Sequence, residues 1–449
     1  MTFVVYIRRL FAGIMFLLLL PMGIRAKTVY DTDGCNVNLL FSKKNTVYVI
    51  RYAHKFNDTL FVPQRCKLYF DGGSLKGPIV FNNTELKGKV NLKGSSVFGH
   101  VCNKTFDASW ICAMDGETDD ARCINDMIRV CDRIHFPQGQ YLLKSKFNPD
   151  GIVEKSLQTQ VQTHIGINRS NVRLVGDEGS EFISDIPLGT IFVFSKPNEL
   201  ENSIRNIEIS GLTFTVHNDG KEFHEFMHTI KLMGVNGMTI KNCRFDDFWG
   251  DAICLSHYGD TPETGERTRN QNVKILNNTI AGSDYHNNRN GISVINGKDV
   301  LIKGNTIKNT SRKDMPGGID VEPNNSAYTI DNIRIEDNTF EDIKGSGGAI
   351  CVVVLNDGPA HHVSIIGNRI SRSSNGLFVY VKTEDTSDNF VIKNNVIASD
   401  TRPYYFKGSG KSRLWTISDN TFDCPCTQMI PGDIKVENLK VTNNKKKSR

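Results

Sequence analysis

A short phrase recurs along the second half of the chain and limits the fold more than any other feature. It consists of isoleucine, asparagine three residues later, and isoleucine or phenylalanine two residues after that. The asparagines are Asn278, Asn305, Asn338, Asn368, Asn395 and Asn420, and a last partial copy ends at Asn444. Successive asparagines lie 27, 33, 30, 27, 25 and 24 residues apart. A period of this length predicts a solenoid, in which each repeat forms one coil.

The pattern around each asparagine predicts two strands joined by a turn. Apolar residues alternate on both sides of it, as in strands that face a core. Asparagine suits the turn because it tolerates the left-handed backbone conformation, and amides in successive coils can bond one another. Leucine-rich repeats and propellers have other patterns. The sequence therefore predicts an all-β fold, a right-handed single-stranded parallel β-helix with an N-terminal cap and one short helix.

Four segments differ in sequence character. Residues 1–26 place two arginines before a 15-residue apolar run, the pattern of a cleaved signal peptide that is too short to span a membrane. Residues 27–105 have alternating runs without the asparagine register and are predicted to form an N-terminal capping β region. Residues 106–444 are predicted to form the β-helix domain, and 445–449 a disordered basic tail. We therefore expect a secreted or periplasmic protein.

Charge and cysteine content narrow the choice of partners. Of 54 basic residues, three lie in the predicted signal peptide, and the remaining 51 nearly balance 49 acidic residues. This balance favours neither nucleic acid nor an anionic membrane surface. The eleven cysteines form no recognisable framework, so we expect buried thiols, although export would permit disulfides. Cys424 and Cys426 alone do not indicate a metal. No cofactor is predicted, calcium is not indicated, and the oligomeric state, a trimer included, stays open.

A distinctive succession of motifs begins near residue 114. The acidic segment Met114–Asp120 precedes a short helix predicted over Ala121–Cys131, and the phrase Phe-Pro-Gln-Gly-Gln-Tyr follows at residues 136–141. This succession resembles the opening of pectate-lyase-superfamily β-helix proteins, which are related to polygalacturonases and to phage tailspikes. The resemblance covers about residues 105–425. It implies the β-helix fold but does not by itself name a reaction.

The acids of that segment are predicted to be structural. The resemblance implies that Asp115, Asp119 and Asp120 shape the start of the helical body. Carboxylates at a turn and a helix start accept hydrogen bonds from free backbone amides. We expect Thr118 or Asp119 to be the N-cap of the predicted helix.

The strands that follow the asparagine units can be aligned, and two acids then fall side by side. The alignment predicts two inward ladders, Ile253, Ile292, Ile319, Ile350 and Leu377, and Leu255, Val294, Val321, Val352 and Val379. The residues between the ladders face outward, which puts Asp320 and Glu322 on one surface, roughly 6.5 to 7 Å apart along the strand. Two carboxylates at such a spacing suit acid–base attack on a glycosidic bond.

Further candidates lie in the neighbouring coils. Asp251 begins a strand two coils before Asp320 and is a third candidate for catalysis. Arg289, His257, Tyr380 and Lys382 lie at strand ends that stacking would bring toward the same surface, so they are predicted to bind substrate. The phrases R-x-G-I-x-V and G-I-D-x-E-P-N, which include Arg289 and Asp320, also occur in the family that the chain resembles.

One motif suggests a metalloprotease but lacks the required context. His224-Glu-Phe-Met-His228 matches H-E-x-x-H, which binds zinc only when both histidines share one face of a helix. Here the motif leads directly into predicted strands, where residues four apart stand about 13 Å from each other. We interpret the match as a coincidence and predict no metal site.

These observations predict a secreted enzyme that degrades a polysaccharide or oligosaccharide, a glycoside hydrolase with Asp320 and Glu322 as its acids. The spacing of the two acids leans toward inversion of the anomeric centre. A polysaccharide lyase or uronate epimerase is the first alternative, with Arg289, Lys382 or His257 as the base. A glycan-binding solenoid without catalytic activity is the second. The motifs typical of polygalacturonases are absent, which argues against polygalacturonate as the substrate.

Overall fold

The structure is a computed structural model that describes residues 27–150, 155–159, 161–195, 204–218, 220–282, 288–354, 358–382, 387–425 and 434–447. The predicted signal peptide lies outside these residues. Two compact units are present, one formed by residues up to Asn91 with Gly99–Cys102, and the other by Leu92–Phe98 with Asn103–Arg449. Within the described ranges, no helix has the length and apolar character needed to cross a membrane.

The smaller unit consists of short strands and one helical turn. Its strands are Lys27–Tyr30, Thr46–Ile50, Ala53–Lys55, Leu60–Phe61, Lys67–Phe70, Ser74–Lys76 and Pro78–Gly88, and Ser96–Val101 belongs partly to it. The strands pair in parallel, for example Thr46–Ile50 with Lys67–Phe70. The helix Val37–Leu40 is capped by Asn36, whose side chain accepts hydrogen bonds from two backbone amides.

Two long parallel sheets form the larger unit. The described strands of the first sheet are Asp115–Asp119, Gly139–Leu142, Thr163–Ile167, Ser180–Ser184, Gly189–Phe194, Thr213–Val216, Ile230–Met233, Arg244–Asp246, Ile253–Leu255, Thr279–Ala281, Ile292–Val294, Thr306–Thr310, Gly317–Val321, Thr339–Ile343, Gly348–Val354, Arg369–Val381, Val396–Lys407, Thr421–Asp423 and Lys445–Lys446. Those of the second sheet are Phe106–Asp107, Arg133–Phe136, Arg173–Gly176, Ile204–Ser210, Val235–Lys241, Asn270–Leu276, Gly297–Lys303, Ile330–Glu336, Ala360–Ile366, Ser387–Asp388, Val391–Lys393, Lys411–Arg413, Thr416–Ser418, Lys435–Glu437 and Lys440–Thr442. The described helices are Ala108–Trp110, which is 3₁₀, and the α-helices Ala121–Val130, Lys155–Gln158 and Pro262–Arg267.

Each regular coil contributes three strands. One coil consists of Asn270–Leu276 in the second sheet, then Thr279–Ala281 and Ile292–Val294 in the first. Each pairs in parallel with the corresponding strand of the next coil, about 27 residues further along the chain. The predicted parallel β-helix is therefore confirmed. Lys445 and Lys446 also pair with the preceding coil, so the predicted tail begins with a strand rather than with disorder.

The recurring asparagines form a continuous hydrogen-bonded ladder. In each step the side-chain amide of one asparagine donates to Oδ1 of the next, from Asn278 through to Asn444, at 2.9 to 3.1 Å. Each amide also donates to a backbone carbonyl, as Asn305 does to Ile275. The six asparagines from Asn278 to Asn420 are buried. The predicted amide ladder is confirmed.

The prediction of the turn conformation was wrong by one residue. The left-handed conformation belongs to the residue before each ladder asparagine, at Asn277, Gly304, Asp337, Gly367, Asn394, Asp419 and Asn443. These positions have asparagine, aspartate or glycine, which adopt positive φ at low cost. Because the preceding residue forms the turn, the ladder asparagine can direct its side-chain amide into the interior of the coil.

The strand alignment around the candidate acids is confirmed. Ile253, Ile292, Ile319, Ile350 and Leu377 are register partners in successive strands, and so are Leu255, Val294, Val321, Val352 and Val379. All ten side chains are at most 1% exposed. They form the apolar core beneath the candidate site, and burying side chains of this size contributes about 1.5–3 kcal/mol each.

The short helix occupies Ala121–Val130, as predicted, but its N-cap is Asp120. The carboxylate of Asp120 accepts hydrogen bonds from the backbone amides of Ala113 and Met114, while that of Asp119 accepts from Ala121. The prediction that these acids are structural is therefore confirmed. The N-cap prediction was wrong by one residue, since the backbone places Asp120 at the N-cap, while the side chain of Asp119 also accepts hydrogen bonds from the backbone amides of Lys144 and Ser145.

The expectation of buried thiols holds for most cysteines but not all. Cys66, Cys131, Cys243, Cys254 and Cys351 have free, buried thiols, and Cys424 is also buried. Cys112 and Cys123 form a disulfide instead, because the helix places Cys123 against the segment that precedes it. Cys102 is exposed. Cys426 lies outside the described residues.

Candidate active site

Asp320 lies on a row of outward-facing residues, one from each coil. In register along the first sheet, this row consists of Phe192, Lys231, Cys254, Ser293, Asp320, Cys351, Phe378 and Tyr405. We call it the outer ladder. Adjacent coils are separated by about 4.8 Å, so the ladder extends over about 34 Å. Of its eight residues, Lys231, Phe378 and Tyr405 are partly exposed, and the other five are buried.

Arg289 is the centre of the charged groups on this surface. Its guanidinium lies 3.2 Å from Asp251, 3.3 Å from Glu322, 3.6 Å from Asp320 and 3.4 Å from Glu225. We call these five residues the Arg289 cluster. Only 11% of the Arg289 side chain is exposed, and the side chains of Asp251 and Asp320 are fully buried. Glu322 and Glu225 are more accessible, with 17% and 40% of their side chains exposed.

The backbone around Asn290 holds the cluster in place. The Asn290 side chain donates to Ser293 and to Asp320 and accepts from the backbone amide of Gly317 in the next coil. The backbone amide of Asn290 donates to Asp251 at 3.0 Å. Gly317 is required at its position because a Cβ there would overlap the carbonyl oxygen of Gly348. Through its side chain and its backbone amide together, Asn290 thereby joins three successive coils and contacts both buried acids.

Asp320 and Glu322 form one titrating unit. Burial raises the pKa of Asp320 well above its ordinary value, and the neighbouring Glu322 carboxyl raises it further, against the opposing effect of Arg289. Burial likewise raises the pKa of Glu322, while Arg289 and a hydrogen bond with Asp320 oppose the rise. Oδ1 of Asp320 is buried and accepts no hydrogen bond in the described structure.

This geometry corrects two expectations about the acid pair. The carboxyls were expected roughly 6.5 to 7 Å apart along the strand, but they converge on one nitrogen of Arg289 and bond each other. The argument for inversion depended on the expected spacing along the strand, so this pair no longer supports it. Asp320 was also expected on the exposed surface, but Arg289, Asn290 and Glu322 surround it.

Asp251 is the one buried acid of the cluster that is held ionised. Burial alone would raise its pKa, but the positive charge of Arg289 opposes burial and lowers the pKa to about 2. Burial lowers the pKa of His228, so this imidazole is neutral beside Asp251. For Arg289, the surrounding carboxylates overcome burial and raise the pKa. Arg289 therefore stays protonated and cannot act as the base that elimination requires.

The other predicted substrate-binding residues lie apart from the cluster. His257 stacks on Tyr328 with ring centroids 4.2 Å apart, and burial together with Lys231 lowers its pKa to about 4. The ring of Tyr380 lies almost parallel to Phe378, which in turn packs against Tyr405. These three aromatic rings are partly exposed. Lys382 is exposed and is not among the residues that pair with Arg289.

Sequence reasoning missed Glu225, His228 and Lys231. The first two belong to the H-E-x-x-H motif, which forms no helix here, as expected, but whose side chains contact Arg289 and Asp251. A loop precedes the strand at this point, and the reach of loop side chains cannot be derived from periodicity. Lys231 could have been found, because extending the strand alignment by one more coil places it next to Cys254.

The donor atoms of His228, Asp251 and Cys254 lie within 4.8 Å of one another, but they do not fit a metal ion. Nδ1 of His228 already accepts the backbone amide of Asp251. The Asp251 carboxylate is paired with Arg289, whose positive charge would oppose a cation. Burial raises the pKa of the Cys254 thiol, and thiols bind metals only as thiolates.

A family model of the right-handed β-helix region matches residues 229–380 and 266–448. The chain contains a right-handed β-helix region. The matched residues include most of the Arg289 cluster and the asparagine ladder. No curated protein sequence matches this chain.

Solved structures similar to this β-helix have different activities. The surface adhesin PfbA of Streptococcus pneumoniae is 15% identical, covers 90% of this chain and 84% of its own, and has a TM-score of 0.36. Tailspike gp49 of Acinetobacter baumannii bacteriophage Fri1, a capsular polysaccharide depolymerase, is 13% identical over 77% and 59%, with a TM-score of 0.48. A GH87 α-1,3-glucanase from Streptomyces thermodiastaticus is 12% identical over 90% and 63%, with a TM-score of 0.42. These likenesses concern the fold alone.

Proposed function

We propose that this protein is a secreted glycoside hydrolase that cleaves a polysaccharide bound along the outer ladder. The observation that supports this most is the Asp320–Glu322 pair, two carboxyls that both approach one nitrogen of Arg289 and whose pKa values are raised by burial. A carboxylic acid with a raised pKa is what protonation of a leaving glycosidic oxygen requires. Hydrolysis uses such a pair as its acid, whereas binding alone does not require it.

The two acids have different parts in this proposal. Glu322 is the accessible member and delivers the proton, while the buried Asp320 returns one to it along their hydrogen bond. Glu225, with 40% of its side chain exposed, contacts Nε of Arg289 and is the carboxylate available to activate water. Asp251 is inaccessible to a glycan, so it acts as a positioning residue that fixes Arg289.

The aromatic residues of the ladder offer binding surface for sugars. Phe378 lies two coils beyond Asp320, about 10 Å away, with Tyr380 and Tyr405 packed against it. Partly exposed aromatic rings contribute large apolar contact area at low entropic cost. Tyr380 keeps its predicted place as a substrate-binding residue in this proposal.

Digestion of a glycan panel tests the proposal. We expect new reducing ends without an ultraviolet-absorbing unsaturated product, and a loss of about 10²- to 10⁴-fold in kcat/KM for the Asp320→Asn/Glu322→Gln variant. The matched control is Asp331→Asn/Glu336→Gln, which makes the same two changes on the second sheet. Detection of an unsaturated product would show that the reaction is elimination instead of hydrolysis. Glycan binding without turnover, unchanged in the variant, would favour a binding protein.

The pH dependence tests the assignment of the proton. Because the reaction needs the shared proton, kcat/KM should fall as pH rises through the raised pKa of the pair. A rate that stays constant or rises over that range would contradict the role of the pair as the acid.

A further inference from the structure

The surface differs in exposure on the two sides of Glu322. Glu322 follows Val321, and the residues that follow the register partners of Val321 form a second outward row beside the outer ladder. We call it the Glu322 row, and it consists of Ser256, Ile295, Glu322, Val353, Tyr380 and Lys407. The two residues before Glu322 are buried, at 7% and 9% exposure. Glu322 and the next two residues are partly exposed, and Lys407 is exposed.

An apolar cover closes the row before Glu322. Ile295 belongs to a buried cluster whose other members are Cys254, Ala327 and Tyr328. The imidazole of His257 lies against the Tyr328 ring, with centroids 4.2 Å apart. The Tyr328 hydroxyl donates to the carboxylate of Asp260 at 2.6 Å. The segments that follow Ser256 and Glu322 thereby meet over this part of the row, and a sugar ring has no access to it.

The outer ladder is closed on the same side. Ser293 lies one coil before Asp320, is 1% exposed, and accepts from the Arg289 guanidinium at 3.3 Å. Cys254, one coil earlier, is completely buried. Lys231 on the coil before that is partly exposed, but the two buried positions separate it from the acids. Neither outward row therefore offers a sugar a path from the acids toward the N-terminal coils.

The surface after Glu322 is open. Val353, Tyr380 and Lys407 follow one, two and three coils beyond Glu322, at about 5, 10 and 14 Å. Cys351, beside Val353 on the outer ladder, is buried, so the open path follows the Glu322 row. Partly exposed apolar and aromatic side chains provide contact area for sugar rings, and the ammonium of Lys407 adds a hydrogen-bond donor. A glycan chain has a binding surface on this side of the acids only.

We propose that the acid pair lies at the closed end of the glycan-binding surface, so that the protein releases small sugars from a chain end and does not cut within a chain. The inference rests on the proposed function for the reaction and adds which part of the polymer is the substrate. The terminal sugar contacts the accessible carboxyls of Glu225 and Glu322, and the rest of the chain extends over Val353, Tyr380 and Lys407. Glu322 protonates the oxygen of the bond between them, and water supplies the hydroxyl of the anomeric carbon and the replacement proton.

Thiol labelling tests the closed end without requiring turnover. Ser256→Cys and Tyr380→Cys each place one thiol on the Glu322 row, two coils before and two coils after Glu322. The folded proteins are treated with N-ethylmaleimide, and modification of every cysteine is followed by mass spectrometry. Because labelling follows exposure, the thiol at position 380 should react about tenfold faster than the thiol at position 256, or more. Native Cys102 is the exposed reference, and slow labelling of native Cys254 shows that the coils stay folded. Equal rates at positions 256 and 380 overturn the closed end.

Digestion of soluble xylan, dextran, alginate and chondroitin tests the mode of cleavage. Size-exclusion chromatography should show a small sugar that accumulates while the remaining polymer keeps its elution volume. Tyr380→Ala should raise KM about two- to tenfold, the worth of one aromatic contact, whereas Tyr69→Ala, exposed in the smaller unit, should leave KM unchanged. An early shift of the whole polymer to smaller size overturns chain-end action and leaves the hydrolase. New reducing ends from none of the four glycans remove the hydrolase, and chain-end action with it, even where the labelling confirms the closed end.

Discussion

The asparagine ladder and the Arg289 cluster are both buried polar arrays in the same β-helix, yet they are opposite in design. Each ladder amide donates to the next amide and to a backbone carbonyl, so it is fully paired and carries no charge. The cluster instead gathers four acids around one arginine and leaves Oδ1 of Asp320 without a donor. The first arrangement stabilises the fold, whereas the second is costly to bury and is expected only where it serves a function.

The comparison teaches that burial of polar groups does not by itself mark a site. What separates the two arrays is whether every group is satisfied without a change of protonation. In the ladder, ordinary amides suffice. In the cluster, Asp320 needs an extra proton and Asp251 needs Arg289, so pKa values are displaced in opposite directions within one group of contacts.

The largest effect should follow from removing Arg289. Arg289→Met leaves Asp251 buried and ionised without its cation, which should reduce the free energy of unfolding by about 3–5 kcal/mol. Urea denaturation measures this change. Asp251→Asn should also destabilise, since it leaves Arg289 short of a partner. An Arg289→Met protein as stable as the parent would show that the cluster is not held by these ion pairs.

Removing one amide from the asparagine ladder should lower the free energy of unfolding by less than removing Arg289 does, and it should leave catalysis unchanged. Asn338→Ala removes an amide that donates to Asn368 and accepts from Asn305, and leaves buried groups unpaired, at a cost of about 2–4 kcal/mol. Its control is Asn444→Ala at the partly exposed end of the ladder, for which we expect less than about 1 kcal/mol. Activity per folded molecule should stay unchanged in both. A similar loss at Asn444 would mean that burial does not set the cost.

The smallest expected change in the free energy of unfolding is an increase in stability. In the Asp320→Asn variant, the side-chain amide donates a hydrogen bond to Glu322 without first having to take up a proton. The variant should therefore be about 0.5–2 kcal/mol more stable than the parent at neutral pH, and less active. The folded-state pKa of Asp320 is raised, so its penalty is absent below the ordinary pKa and grows as pH rises toward the raised value. Stability curves of parent and variant should therefore separate with rising pH. Curves that stay parallel would contradict a raised pKa for Asp320.

The sequence predicted much of the fold because a solenoid repeats its pattern. The isoleucine and valine ladders and the hydrogen-bonded asparagines followed from periodicity, and both are present in the structure. The left-handed residue was misplaced by one, although Asn, Asp or Gly recurs at that position in every repeat and adopts positive φ at low cost. Of the candidate site, the residues Asp251, Arg289, Asp320 and Glu322 were named from the alignment, and the structure brings all four together.

The sequence by itself determined the coil, its register and which strand positions face outward, because those depend on local alternation repeated at a fixed period. Tertiary structure alone decided that Arg289 would reach four acids, that Asp320 and Glu322 would both approach one of its nitrogens, and that Glu225 and His228 would contact the cluster. Side-chain reach, burial and the resulting pKa displacements depend on groups 30 to 100 residues apart. They arise only when separate coils are stacked, so no pattern within a single repeat can contain them.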